Sequence, residues 1–320
     1  MTPSQDLPAL LAVAKTPPPF LEAMKGRFTV HERLHETDPA AFAKVAGNIR
    51  GICGGGESKV TAAIMDQLPA LEIVSIMGVG YDGVDVGAAR ARKVPVTHTP
   101  GVLNDDVADL AIALILSVAR RIPQSDRYLR AGRWASEGNL PLATKVSGAR
   151  LGIVGLGRIG QAIATRAEAF GMSIAYNTRT QKAGVPYAYH ASVSELAANV
   201  DFLVAITPGG AGTRHLINAQ VLQALGPKGY FINVARGSVA DEAALIEALQ
   251  KGTIAGAGLD VFADEPNVPE ALRALDNVVL TPHMASATGQ TRRAMAQLAV
   301  DNLLARFSGQ PLPSAVPECQ

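Results

Sequence analysis

Short apolar runs alternate with stretches of helical periodicity along almost the whole chain. In the first hundred residues, the apolar runs predict strands at 10–14, 28–31, 71–77 and 94–97. The segments 39–46 and 58–67 between these runs have a helical pattern. Strands that alternate with helices are typical of a mostly parallel sheet covered on both faces, so the pattern predicts an α/β fold.

The pattern changes after residue 100, where 104–121 reads as a long apolar helix that Asn104 or Asp105 can cap. A second helix is predicted at 124–131, with a polar loop after it. A new series of buried strands then follows, at 151–154, 173–176, 202–206, 230–234, 256–259 and 278–280. Six strands with helices between them predict a second, doubly wound domain. The amphipathic helix predicted at 290–307 is expected to return to the first domain.

Composition narrows the class of protein. A length of 320 residues fits two domains, and a formal net charge of +1 gives no bulk attraction to nucleic acid or to an anionic membrane surface. The two cysteines, Cys53 and Cys319, form neither a disulfide framework nor a metal-ligand spacing, so no metal site is expected. No signal peptide is apparent, and no apolar run approaches the roughly 20 residues of a membrane span. We expect a soluble, cytoplasmic protein.

A glycine-rich turn follows the strand predicted at 151–154. Residues 155–160 fit G-x-G-x-x-G and open the helix predicted at 159–170. Glycines allow a tight turn and close backbone approach, while the helix N-terminus offers N–H groups and a positive dipole to a pyrophosphate. A glycine turn without function is the alternative, but the strand–turn–helix context favours a dinucleotide site. Its expected contacts are Gly155, Leu156, Gly157, Arg158 and Ile159.

The segment after the next strand bears on which dinucleotide binds. An NAD enzyme carries an acidic residue there, about twenty residues beyond the glycines, for the ribose hydroxyls. This chain instead has Asn177, Thr178, Arg179 and Thr180. A guanidinium with neutral donors beside it attracts a 2′-phosphate, so we expect NADP(H) to be preferred, with NAD(H) possible. The alternative is that Arg179 is a solvated charge stacking on the adenine.

Three residues with catalytic potential stand beyond strands of the second half. Arg236, Glu265 and His283 follow the strands at 230–234, 256–259 and 278–280. Ligands of open α/β sheets collect beyond the carboxyl ends of the strands, so the three side chains are expected in one cleft. The guanidinium can pair with a carboxylate and polarise a keto oxygen, and an imidazolium can donate a proton to that oxygen.

Histidine titrates near about 6.5 when free, so a carboxylate is needed beside it to keep the imidazole protonated at neutral pH. Glu265 is the candidate for that carboxylate, and Asp260 is a candidate to hold the amide of a nicotinamide ring. Each residue also has a structural interpretation: His283 as a satisfied structural histidine, Glu265 as a turn residue, Arg236 as a cap. Their shared position downstream of the glycine turn favours reduction of a 2-keto acid.

These motifs together resemble those of the D-isomer-specific 2-hydroxyacid dehydrogenases, especially the glyoxylate/hydroxypyruvate reductase branch. The resemblance covers about residues 71–307. The matching segments are 78–85 (GVGYDGVD), the glycine turn with 169–172 (AFGM), 213–218 (TRHLIN), 233–237 (NVARG), 257–262 (AGLDVF) and 281–283 (TPH).

The resemblance implies a Rossmann dinucleotide-binding domain (101–288) inserted in a flavodoxin-like substrate-binding domain (1–100 with 289–320). It implies that Arg236, Glu265 and His283 are catalytic, and that backbone N–H groups of Val79 and Gly80 grip the substrate carboxylate. Further substrate-site candidates are Ser286, Trp134 and, more weakly, Arg292. Thr207, Pro208 and Ala235 are expected to line the nicotinamide ring and its ribose. The other expected cofactor contacts are Ile206, Thr213, Val234 and Asp260.

The resemblance also implies a homodimer joined through the long-helix region. Trp134, the single tryptophan, is then expected to reach the partner's active site, or alternatively to be an interface or core aromatic. The chain departs from the family at 209–212 (GGAG), where many members carry a proline and an acidic residue; this predicts a wider cofactor edge.

The sequence thus predicts an NADPH-dependent reductase of small 2-keto acids such as glyoxylate or hydroxypyruvate. One alternative is a D-2-hydroxyacid dehydrogenase for larger side chains, such as phenylpyruvate-type acids, which shares every catalytic residue. Another is a dinucleotide-sensing binding protein, which the complete catalytic set disfavours.

Overall fold

The structure, a computed structural model, describes residues 7–320. The chain divides into two compact units, Met1–Leu103 with Ala287–Gln320, and Asn104–Ser286. Each unit is built around its own sheet, in which every strand pairing is parallel. The α/β class with two parallel sheets is therefore as predicted.

The first unit has a five-stranded sheet in the order β2-β1-β3-β4-β5. Its strands are β1 (Ala9–Ala12), β2 (Thr29–Glu32), β3 (Ile49–Gly55), β4 (Ile73–Met77) and β5 (Val96–Thr97). The helices between them are α1 (Pro18–Met24), α2 (Leu34–Thr37), α3 (Pro39–Val45), α4 (Ala62–Asp66) and α5 (Val86–Ala91). Apolar side chains of the central strands and of α3 and α4 pack into one core.

The central strand β3 was not predicted, because glycines interrupt its apolar pattern. At Gly51 the glycine is a packing requirement: a Cβ atom there would lie 2.7 Å from the Leu10 side chain. The helix predicted at 58–67 is also shorter than expected. It begins only after Thr61, whose hydroxyl accepts a hydrogen bond from Ile64 N–H.

The second unit opens with α6 (Asn104–Ala119), α7 (Ile122–Arg130) and α8 (Arg133–Glu137). The prediction of a polar loop directly after α7 was wrong, because the short helix α8 lies there and carries Trp134. Strands β6 (Arg150–Val154), β7 (Ser173–Asn177), β8 (Ala188–Tyr189), β9 (Phe202–Ala205), β10 (Tyr230–Asn233), β11 (Gly256–Leu259) and β12 (Val278–Leu280) follow. The intervening helices are α9 (Arg158–Glu168), α10 (Val193–Ala198), α11 (Ala219–Leu225), α12 (Glu242–Gln250) and α13 (Glu270–Arg273).

The strand order of this second sheet is β12-β11-β10-β9-β6-β7-β8. Counted within the unit, it is the doubly wound order 3-2-1-4-5-6 with one further strand at the far edge. The direction of winding reverses between β6 and β9, and ligands of such sheets bind beyond the carboxyl ends of the strands near this point. The six predicted strands are all present, and the two-residue strand β8 is the one that was missed.

The last helix, α14 (Gly289–Phe307), belongs to the first unit. It packs against α1 and β4, and Ser75 in β4 donates a hydrogen bond to the Ala299 carbonyl at 3.0 Å. Within residues 7–320, no helix combines the length and the apolar character that a bilayer crossing requires.

Candidate active site

The glycine turn lies at the switch point of the second sheet, between β6 and α9. Gly155 has φ +103°, and a Cβ atom there would lie 2.7 Å from the Ile206 carbonyl oxygen at the end of β9. A Cβ atom at position 160 would collide with the Gly155 carbonyl oxygen. No side chain caps α9 at Gly157, so its first N–H groups keep the arrangement that binds anions. The turn can therefore receive a pyrophosphate.

The segment predicted to select the cofactor follows β7. The Asn177 amide donates to the His190 carbonyl at 2.8 Å, and the Thr178 hydroxyl donates to the Thr180 carbonyl at 2.7 Å. Arg179 is exposed, and within residues 7–320 its guanidinium has no hydrogen-bond or ion-pair partner. Among the residues predicted to bind a 2′-phosphate, Arg179 is thus the one whose charged side chain is available to a ligand.

The glycine-rich segment after β9 forms a compact loop. The Thr213 hydroxyl donates to the Pro208 carbonyl at 2.7 Å and approaches the Gly210 carbonyl at 3.2 Å. Gly210 has φ +121°, a conformation that glycine adopts without strain. The expected contacts of Ile206, Thr207, Pro208 and Thr213 with a cofactor stay predictions.

The carboxyl ends of β10, β11 and β12 lie side by side, and the three candidate catalytic residues follow these strands. His283 Nδ1 lies 2.7 Å from Glu265 Oε2, and Phe262 N–H donates to Glu265 Oε1 at 2.9 Å. The Glu265 side chain is 16% exposed and the His283 side chain 35%. Glu265 is therefore held by the backbone on one oxygen, and its other oxygen orients the imidazole.

Asp260 fixes the backbone that carries His283. Its Oδ1 accepts from the Thr281 hydroxyl at 2.6 Å and from Met284 N–H at 2.9 Å, and its Oδ2 accepts from Ala285 N–H at 2.9 Å. Asp260 is fully buried, and burial raises the pKa of its carboxyl above the usual range. These bonds lie on either side of His283, which has the left-handed φ of +47°. Such a conformation in a non-glycine residue depends on the structure around it.

Arg236 follows β10 in extended conformation and is half-buried. Its Nη1 donates to the Ala235 carbonyl at 2.8 Å, while the Asn233 side chain bonds both Ala235 N–H and the Arg236 carbonyl at 3.1 Å. A Cβ atom at position 237 would collide with the Phe262 carbonyl. Gly237 thus lets the Arg236 loop pass directly against the loop that carries Glu265.

The remaining predicted site residues are distributed over both units. Val79, Gly80 and Arg292 belong to the first unit, and Ser286 and Trp134 to the second. Trp134 is 60% exposed, with its indole N–H 3.0 Å from Asn139 Oδ1, so it is not a core aromatic of this chain.

Two residues with positional roles were missed by sequence reasoning. Thr281 bonds Asp260, and Gly237 permits the approach of two loops. Both lie in the family motifs TPH (281–283) and NVARG (233–237). Their positions beside His283 and Arg236 were the signal that could have identified them. The partners they contact are distant in sequence and follow only from the fold.

Comparisons with known proteins identify the family of the chain. Residues 112–285 match the family model described as D-isomer specific 2-hydroxyacid dehydrogenase, NAD binding domain. A hydroxyphenylpyruvate reductase of Plectranthus scutellarioides is 51% identical over 283 residues, covering 88% of this chain and 90% of the relative. Glyoxylate/hydroxypyruvate reductase A of Arabidopsis thaliana is 50% identical over 269 residues, covering 84% and 86%.

Among solved structures, an NADPH-dependent glyoxylate/hydroxypyruvate reductase of Sinorhizobium meliloti, in complex with NADP and malonate, superposes with a TM-score of 0.92. It is 50% identical, and the match covers 98% of this chain and 97% of that one. The chain belongs to the D-isomer specific 2-hydroxyacid dehydrogenase family.

Proposed function

We propose that this enzyme reduces small 2-keto acids, glyoxylate and hydroxypyruvate foremost, to 2-hydroxy acids with NADPH. The observation that carries the proposal is the bond between His283 Nδ1 and Glu265 Oε2 at 2.7 Å, beyond strands β11 and β12 of the sheet whose strand β6 leads into the dinucleotide-type glycine turn. A carboxylate beside a histidine favours the imidazolium form, and an imidazolium can donate the proton that the keto oxygen needs in 2-keto acid reduction.

The residues present fit NADP(H). The close approach at Gly155, the uncapped N-terminus of α9 and the exposed Arg179 suit a pyrophosphate and a 2′-phosphate. NADPH, when bound, supplies the hydride that reduces the substrate carbon. NAD(H) lacks the phosphate that Arg179 would pair with, so we expect it to be used less well.

Arg236 would bind the substrate carboxylate and polarise the keto oxygen, since a guanidinium pairs with oxygen atoms through fixed N–H donors. We assign the carboxylate also to the N–H groups of Val79 and Gly80. In the described part of the chain, residues 7–320, neither of these N–H groups donates to a protein atom. Ser286 and Arg292 are secondary candidates at the substrate site.

His283 would donate the proton. Its Nδ1 faces Glu265, so Nε2 is the nitrogen that delivers the proton to the keto oxygen. The Glu265 carboxylate stabilises the positive charge of the imidazolium before transfer, and its second oxygen, held by Phe262 N–H, keeps it from rotating away. Because Asp260 bonds the Thr281 hydroxyl before His283 and the Ala285 N–H after it, it would set the position of the imidazole. Its predicted contact with the nicotinamide amide stays a prediction.

We expect Asp260→Asn to lower both kcat and stability. The amide group would present an N–H where Ala285 N–H or Met284 N–H now donates, leaving a buried donor unsatisfied, which costs about 1–3 kcal/mol in the free energy of unfolding. Urea denaturation and steady-state kinetics measure the two effects. Glu247→Gln, which alters an exposed pair with Lys251, is the control and should change stability by less than about 1 kcal/mol. A wild-type unfolding midpoint for Asp260→Asn would contradict the assignment.

A preference for larger substrates is the second candidate, and the 51% identical hydroxyphenylpyruvate reductase is the observation that favours it. The test is a panel of glyoxylate, hydroxypyruvate, pyruvate and phenylpyruvate, each with NADPH and with NADH. The highest kcat/KM for glyoxylate or hydroxypyruvate with NADPH supports the proposal. The highest value for phenylpyruvate supports the second candidate. Cofactor binding without reduction of any acid would indicate a dinucleotide-sensing protein instead.

We propose further that the enzyme is a homodimer joined through the segment 122–142. Large exposed apolar side chains concentrate there: Leu129 is 58% exposed, Trp134 60% and Leu142 100%. Ser125, Tyr128, Leu129, Trp134 and Leu140 line a shallow apolar depression of about 270 Å³. Apolar patches of this kind are typical of protein–protein interfaces.

A cytoplasmic location, expected from the sequence, stays a prediction.

Leu129→Glu is expected to shift the enzyme from dimer toward monomer, because a carboxylate would be buried without a partner in the interface. Light scattering coupled to size-exclusion chromatography measures the mass. Leu21→Glu, at a leucine on α1 that is 40% exposed and outside the segment 122–142, should leave the dimer intact. A wild-type enzyme with the mass of one chain would refute the dimer. If Trp134 acts in the partner's site, the monomeric variant should also change its relative kcat/KM values across the acid panel.

A further inference from the structure

The loop that follows β4, residues 78–80, is fixed at its carbonyl groups. Thr99 N–H donates to the Gly78 carbonyl at 2.8 Å, and His98 Nδ1 lies 2.9 Å from the Val79 carbonyl. A carbonyl oxygen only accepts, so His98 donates through Nδ1–H. The two consecutive residues that follow β5 thus hold two consecutive carbonyls of the loop.

Because the carbonyl groups of this loop are fixed, the directions of its N–H groups are fixed as well. In a trans peptide, the carbonyl of one residue and the N–H of the next lie in one plane and point in opposite directions. The bond from Thr99 to the Gly78 carbonyl therefore directs Val79 N–H away from Thr99. In the same way, the bond from His98 to the Val79 carbonyl directs Gly80 N–H away from His98.

His98 is itself held firmly. Ser314 Oγ donates to the His98 carbonyl at 2.6 Å, and His98 N–H donates to the Ser314 carbonyl at 3.2 Å. The Tyr81 ring meets the imidazole edge to face, with centroids 5.3 Å apart and an interplanar angle of 88°. The Tyr81 hydroxyl donates to Glu318 at 3.0 Å. Burial, together with that bond to Glu318, raises the pKa of Tyr81 to about 12, so the hydroxyl stays a donor near neutral pH.

We propose that His98 is a positioning residue for substrate binding: by holding the Val79 carbonyl, it orients Gly80 N–H toward the substrate carboxylate. This inference rests on the proposed function, in which Val79 and Gly80 bind that carboxylate. His98 does not touch the substrate in this role. It keeps one donor pre-aligned, so its loss weakens carboxylate binding while the chemistry at His283 is left in place.

The test compares three substitutions at position 98. Asparagine places its amide nitrogen the same number of bonds from Cα as Nδ1, whereas glutamine places it at the distance of Nε2. His98→Asn is therefore expected to retain the bond to the Val79 carbonyl, and His98→Ala and His98→Gln to lose it. His31→Ala is the control, because β2 and β5 are the opposite edges of the first sheet.

Three measurements are made. Steady-state kinetics give kcat and the KM values for glyoxylate and for NADPH. Titration of the NADPH-loaded enzyme gives the Kd of oxamate, a non-reducible 2-keto acid analogue, and urea denaturation gives the unfolding midpoint. His98→Ala and His98→Gln are expected to raise both KM and Kd by roughly 3- to 10-fold, the loss expected for one hydrogen bond. The kcat and the KM for NADPH should stay within about twofold of wild type, as should every value for His98→Asn and His31→Ala.

Unchanged oxamate Kd and glyoxylate KM in His98→Ala would overturn the inference while the proposed function stands. A parallel loss of NADPH affinity and unfolding midpoint that His98→Asn does not restore would overturn it as well, since it would mark a structural role. If the wild-type enzyme reduces no 2-keto acid but binds oxamate, and His98→Ala weakens that binding, the result would refute the proposed function and support the inference. A wild-type enzyme that neither binds oxamate nor reduces any keto acid would overturn both.

Discussion

Replacement of His283 by alanine is expected to lower kcat by about 10²–10⁴-fold, the contribution of a positioned general acid. The imidazole lies 2.7 Å from Glu265, and the buried Asp260 bonds the Thr281 hydroxyl before His283 and two backbone N–H groups after it, so the donor is aligned before substrate arrives. In the variant, a water molecule without this fixed orientation would have to donate the proton to the keto oxygen. The glycine turn is untouched, so the Kd of NADPH should remain that of the wild type.

Steady-state kinetics and fluorescence titration of NADPH measure the two effects. His35→Ala is a suitable control, because that imidazole also lies beside a glutamate, Glu36 at 3.6 Å, but in the first unit and outside the proposed site. Turnover by His283→Ala near the wild-type rate would exclude this residue as the proton donor. Equal losses in His283→Ala and His35→Ala would point to general destabilisation.

The second large effect is expected at the cofactor. Arg179→Asp should lower the ratio of kcat/KM for NADPH to that for NADH by at least about 100-fold, because a charge-assisted pair with the 2′-phosphate is replaced by repulsion. The Asn177 and Thr178 side chains already bond backbone carbonyls, so they compensate little for the lost guanidinium. Arg273→Asp, at an exposed arginine on α13, should leave the ratio unchanged.

The same pair of cofactors tests the alternative role of Arg179. A guanidinium that stacks on the adenine would contribute equally to both dinucleotides, so its loss would weaken NADPH and NADH by the same factor. An unchanged ratio in Arg179→Asp would remove this residue from the 2′-phosphate site.

Much of the fold followed from local pattern. The buried strands of the second sheet are continuous apolar runs, because both faces of a parallel sheet are covered, and all six predicted strands are present. β3 escaped prediction for a tertiary reason: Gly51 makes room for the Leu10 side chain, and nothing local distinguishes such a glycine from a turn. The short helix α8 was likewise hidden by its polar sequence and five-residue length.

The site was predictable as a set of positions but not as a set of contacts. Residues beyond adjacent parallel strands converge by topology, and this placed Glu265 and His283 near each other before any distance was known. The bonds of Asp260 to residues 281–285 join parts of the chain that only the fold brings together. The internal bonds of Asn177 and Thr178 were equally invisible, since a donor's partner depends on its rotamer. The roles of these residues in binding and catalysis stay predictions.

The central claim is hydride transfer from NADPH to the keto carbon of a small 2-keto acid, and isotope transfer tests it most directly. Hydroxypyruvate would be reduced with NADPH carrying deuterium on the reactive face of C4, and the product analysed by mass spectrometry and NMR. One deuterium at C2 of the product, with none at C2 when unlabelled NADPH is used in D₂O, is the predicted result. A product without deuterium from the labelled cofactor, or with deuterium at C2 from solvent, would contradict the account.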